Sequence, residues 1–70
     1  MEDKKMILNE LVKLLQLCEI NVVEWSLFNE GSEETVLLVI EDSHYNKYYK
    51  YINVTGDSGK AMIGDIIGRL

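Results

Sequence analysis

Proline is absent from this chain, cysteine and histidine occur once each, and no lysine or arginine falls between Glu19 and Asp42. Each absence excludes something. A lone cysteine, Cys18, forms no intrachain disulfide, which points to a reducing compartment. No cluster of cysteine and histidine has the spacing of a structural zinc site. No apolar run approaches the ~20 residues that cross a bilayer. The opening MEDKKM leads into an amphipathic segment without a cleavage pattern, so no signal peptide is expected. Cytoplasmic localisation is the expectation, with no membrane partner.

What the chain does contain is apolar residue, 47% of a total of 70. That is enough to specify a folded domain rather than a disordered segment. A single domain over residues 1–70 is expected, and a domain of this size buries only about 60% of the surface its unfolded chain exposes.

The net charge is −5, and its distribution says more than its size. Glu19, Glu24, Glu30, Glu33, Glu34, Glu41 and Asp42 fall in the segment that lacks basic residues. Such a field repels nucleic acid and anionic membrane and attracts basic protein surfaces. The alternative is a solvated face that keeps a small protein soluble.

Periodicity places the elements. In DKKMILNELVKLLQLCE, the residues Ile7, Leu8, Leu11, Val12, Leu14, Leu15 and Cys18 share a broad arc at helical spacing. Cys18 on that arc reads as a buried structural thiol. INVVEWSLFN follows with a period of two, setting Val23, Trp25 and Leu27 against Glu24 and Ser26. NEGSE reads as a hairpin turn in which Gly31 supplies a positive φ. TVLLVIED is apolar on both faces, as a central strand should be. YNKYYKYINV is aromatic and carries Lys47 and Lys50, a common guard on an edge strand. A last helix begins at Asp57 or Ser58 and carries Met62, Ile63, Ile66, Ile67 and Leu70 along one stripe.

The expected fold class is therefore α+β: helix, three-stranded antiparallel meander, helix, with both helices packed on one face of the sheet. The covered face is expected to include Val23, Trp25 and Leu27. Gly64 and Gly68 cost about 1 kcal/mol each in a helix interior, and they suggest close approach to another backbone, either the first helix or a partner chain.

Residues 53 to 67, NVTGDSGKAMIGDII, raise the question of a phosphate or nucleophile loop. A Walker loop needs GxxxxGK followed by Ser or Thr. Here Val54 stands where its first glycine belongs, and Ala61 follows Lys60. A serine nucleophile needs a histidine base and an orienting carboxylate converging on it. His44, the sole histidine, falls in a turn far along the chain from Ser58. The stretch reads as a capped helix start. His44 with Glu41 and Asp42 reads as a polar turn rather than a metal site, and no pair of carboxylates is spaced for general acid–base work. The chain is not expected to be an enzyme, nor to use a metal or cofactor.

Two surfaces are left as candidate partner-binding sites. One is an acidic band formed by Glu30, Glu33, Glu34, Glu41 and Asp42. The other is the tyrosine strand, with Tyr45, Tyr49 and Tyr51 as its binding residues, since tyrosine is enriched at protein hot spots. Aromatics beside lysine can also stack bases, but two lysines are few for an acidic protein, so direct nucleic-acid binding is not expected.

The order of features in EETVLLVIEDSHYNKYYKYINVTGDSGK resembles the C-terminal half of the bacteriophage uracil-DNA glycosylase inhibitors: an acidic stretch, an apolar strand, a tyrosine-bearing strand and a polar turn. It covers fewer than half the residues and includes no specific motif, so it carries no residue role across. An acidic hairpin with a short helix is also the general look of anti-CRISPR and other phage host-takeover proteins.

The expectation is a non-enzymatic, acidic binding protein of the small phage-inhibitor type, occluding a basic surface of a target protein, of which a nucleic-acid-binding groove is one kind. The alternative is a module that forms a homodimer or larger homo-oligomer through the tyrosine-rich edge strand or the C-terminal helix.

Overall fold

Asp3 accepts a hydrogen bond from the Met6 N–H and so caps the first helix, α1 (Lys4–Leu17). In the computed structural model, which describes residues 3–70, the helix ends without glycine. Glu19 takes the left-handed conformation at φ 66°. Its N–H bonds Gln16 O, and the Ile20 N–H bonds Leu15 O at 2.9 Å. This pairing is the Schellman stop, and Ile20 packs against the same core as Leu15. The chain therefore turns straight into β1 (Val22–Glu30).

β1 pairs antiparallel with β2 (Glu33–Glu41), and β2 with β3 (Lys47–Asn53), in the order β1-β2-β3. The first turn has two residues, and Gly31 stands at φ 63° in it. With glycine first and only that residue at positive φ, this is the type II′ turn whose twist suits a hairpin. In the second turn Asp42 N–H donates to Asn46 O at 3.0 Å, and Tyr45 occupies the left-handed region at φ 64°. After β3, Asp57 N–H closes a turn onto Val54 O, with Gly56 at φ 73°. Ser58 then caps α2 (Gly59–Gly68) by accepting from the Ala61 N–H. The glycine-rich stretch is a turn and a helix start.

Both helices lie on one face of the sheet, as the alternation of burial requires. Leu8, Leu11, Val12 and Leu15 from α1 meet Val22, Val36, Leu38 and Ile52 from the strands and Met62 and Ile66 from α2 in one core. Lys4 ties the layers at their edge: its Nζ donates to Glu34 Oε1 at 2.9 Å and to Val54 O at 3.1 Å.

Three expectations are corrected. The register shifts between Val22 and Glu24, so Val22 enters the core and Val23 is left exposed. An extra residue in one strand displaces its alternation by one. Cys18 is the C-cap of α1 and exposed, because the Schellman turn ends the apolar arc before it. A Cβ added at Gly64 or Gly68 would meet nothing within 4 Å, so neither glycine serves contact with α1.

Candidate functional site

No described element covers the sheet face opposite the helices. By alternation from the buried Val36, Leu38 and Ile52, it carries Glu24, Ser26, Phe28 and Glu30 from β1, with Glu33, Thr35, Leu37, Val39 and Glu41 from β2. β3 adds Lys47, Tyr49, Tyr51 and Asn53. Cross-strand rows follow from the register. Glu24, Val39 and Tyr49 form one row, and Ser26, Leu37 and Tyr51 the next. Tyr49 and Tyr51 are 59% and 61% exposed, while Val39 between its strand neighbours is only 1% exposed. Phe28 and Leu37 are half-buried. The centre of this face is an apolar and aromatic strip, and carboxylates stand at both ends of it.

Of the residues expected to bind a partner, the structure brings Glu30, Glu33, Glu41, Tyr49 and Tyr51 onto this face. Glu30 and Glu33 face each other across the hairpin end. Glu41 lies at the far end of β2, opposite Lys47. Eight strand steps from Glu33 to Glu41 are about 27 Å, so the acids are two clusters and not one band. Glu34 points to the helix side, where Lys4 holds it. Asp42 is engaged by the turn: Oδ1 accepts from the His44 N–H at 2.8 Å and the Asn46 N–H at 3.0 Å. These backbone donors, Asn46 first, hold its carboxyl below the ordinary value of 3.8. Tyr45 is 80% exposed at the tip of that turn. A bulky residue held at positive φ carries backbone strain, a pattern found at binding sites as well as in tight turns.

Sequence reasoning missed Glu24, Phe28, Leu37 and Val39. The signal was there in TVLLVIE, because a central strand that is apolar on both faces must place apolar residues on whichever face the helices leave open. It also missed a cleft of 280 Å³ between α1 and β1, lined by Lys5, Leu8, Trp25, Ser26 and Leu27.

No group of three or more His, Cys, Asp or Glu side chains among the described residues is arranged to hold a metal ion. No described helix is long and apolar enough to cross a membrane. Near the start of α2, Asp57 Oδ2 is buried with no donor partner among the described residues. The neighbouring Asp65 side chain, together with burial and its like charge, raises the Asp57 pKa above the ordinary 3.8, and Lys4 opposes the shift. Compared with family models, with curated proteins and with solved structures, the chain matches none.

Proposed function

We propose that the chain is a non-enzymatic protein-binding domain that docks its open sheet face onto a basic-rimmed surface of a target protein and occludes it. The observation that supports this reading is the layout of that face: Tyr49 and Tyr51 exposed beside Leu37 and Phe28, with Glu24 and Glu41 at one end and Glu30 and Glu33 at the other. An apolar, tyrosine-rich centre inside a charged rim is the anatomy of a protein interface, where the centre supplies affinity. The carboxylates set partner choice and speed of encounter. Occlusion of this kind is how small phage-type inhibitors act, and a nucleic-acid-binding groove is the kind of basic surface the rim fits. Glu34 and Asp42 belong to the fold in this reading, and Tyr45 extends the contact past the end of β3.

The test is affinity capture from lysate with three baits: the native chain, a Tyr49→Ser/Tyr51→Ser variant, and a Glu24→Lys/Glu30→Lys/Glu33→Lys variant. A protein retained by the native chain alone, and released by moderate salt, is the expected result. Retention of the same proteins by all three baits would sink the reading.

Self-association through α2 is a second reading, favoured by the open space over Gly64 and Gly68 and by Ile67 beside them at 55% exposure. Molar mass across a dilution series separates the two.

A further inference from the structure

The two edges of the sheet are protected unequally. Lys47 and Lys50 lie on β3, and such residues discourage another strand from pairing. β1 holds no lysine, arginine or proline, and its one irregularity lies between Val22 and Glu24. From Glu24 to Glu30 its register with β2 is continuous, and among the described residues no strand flanks its outer side.

The turn decides which backbone groups face outward. A two-residue loop makes Glu30 and Glu33 a hydrogen-bonded pair, and such pairs alternate with non-bonded ones along an antiparallel ladder. Glu30, Phe28, Ser26 and Glu24 therefore bond to β2. Asn29, Leu27 and Trp25 direct their N–H and C=O groups to the free edge. The residue opposite Asn29 agrees: Glu34 bonds on its β3 side, donating to Thr55 Oγ1 and accepting from the Val54 N–H.

Trp25 and Leu27 also line the cleft between β1 and α1. A strand added at this edge sets the residues opposite Trp25 and Leu27 on the same, helix-covered face. One of its side chains then enters the cleft while its backbone pairs with the outward groups. At 280 Å³ the cleft falls below the ~300–1,000 Å³ usual for small-molecule sites, and suits one large side chain. Leu8 and Leu27 make it apolar, and Lys5 at its border can face an aromatic ring.

The other face of the incoming strand meets Glu24 and Glu30, six residues apart. The geometry points to a β-augmentation site: β1 accepts an extended segment of a partner protein that carries basic residues opposite Glu24 and Glu30 and, between them on the alternate face, an apolar side chain that fills the cleft. Charge selects this occupant over a second copy. Two copies paired antiparallel about Leu27 would set Glu24 beside the other copy's Glu30 twice, and like charges directly opposite destabilise a ladder. This edge shares Glu24 and Glu30 with the open sheet face but neither Tyr49 nor Tyr51, so the tyrosine variant tells the two contacts apart.

The probe is the end-blocked peptide Lys-Phe-Thr-Val-Thr-Phe-Lys, whose pattern is the same in both strand directions, added to the isotope-labelled chain. The amides of Trp25, Leu27 and Asn29 should exchange at least about tenfold more slowly, those of Glu24, Ser26 and Phe28 should hold constant, and the emission of Trp25 should shift to shorter wavelength. A peptide with glutamate at both ends should do neither. The Tyr49→Ser/Tyr51→Ser variant should bind the basic peptide as the native chain does. No response to the basic peptide overturns the proposal, as does an equal response to the acidic one. So does loss of binding in the tyrosine variant, which would move the contact to the open face. Slowed exchange that appears without peptide and grows with protein concentration would assign the edge to a second copy and overturn it too.

Discussion

Tyr48 Oη donates a hydrogen bond of 3.1 Å to Asp42 Oδ2, which fastens the first residue of the β2–β3 turn to the strand that leaves it. The same bond, with the nearby negative charge, raises the Tyr48 pKa above 10.0. Asp42 thus organises its turn, a role that competes with binding a partner.

Replacing Asp42 with Ala should lower the melting temperature by a few degrees near neutral pH. The folded carboxyl titrates below its ordinary value of 3.8. Its contribution is therefore present above that value and lost as pH falls through the lower, folded one. The gap between native and variant should close in strong acid. Thermal melts across the acid range check this, and identical melting of the two proteins near neutrality would contradict it.

Glu19 stands in the left-handed region at the stop of α1, a position that glycine adopts without a Cβ penalty. Glu19→Gly should stabilise the fold by about 1 kcal/mol. Urea unfolding with an unchanged slope and a raised midpoint is the expected result. The opposite sign is expected for Gly31→Ala, which would force a side chain to a positive φ of 63°.

At Gly64 there is room for a methyl group and an unstrained helical backbone. Gly64→Ala should therefore raise stability by roughly 0.5–1 kcal/mol. Under the docking reading its mass in solution stays that of the native chain. A variant that loses an assembly present in the native chain would favour self-association instead.

The pairing of Asp57 with Asp65 makes the fold sensitive in the other direction. Asp57 titrates above 3.8 in the folded state. Its favourable contribution is complete below that value and is lost as pH rises through the raised one. Asp65→Asn removes the like charge and offers a donor to the buried Asp57 Oδ2. Melting temperature should rise near neutral pH and match the native chain in acid. An unchanged or lower value near neutrality would count against it.

Much of this architecture was legible in the order of residues. The switch of period after Cys18, the glycine at position 31 and the serine before Gly59 each carry a local cause, and each marks an element boundary in the fold. The bulge at Val23 was not legible, because Val22 and Val23 are chemically alike and only packing decides which one is buried. Nor was the Glu19 stop, since no glycine marks it. Leu14, expected on the apolar arc of α1, is exposed, as is Leu17. For the site, Tyr49 and Tyr51 had to share a face by their spacing, but which face depended on where the helices settled. Glu33 and Glu34 are adjacent and therefore point to opposite sides, so a run of acids in sequence is not a patch in space.

The meander has a kinetic consequence. Each strand pairs with its neighbour along the chain, through short turns. Low contact order of this kind favours rapid assembly. Yet Met62 and Ile66, both fully buried, belong to the last element of the chain. During synthesis the hairpins and α1 can pack together while the part of the core that Met62 and Ile66 fill is still wet. Docking of α2, rather than any search for strand partners, then closes this core.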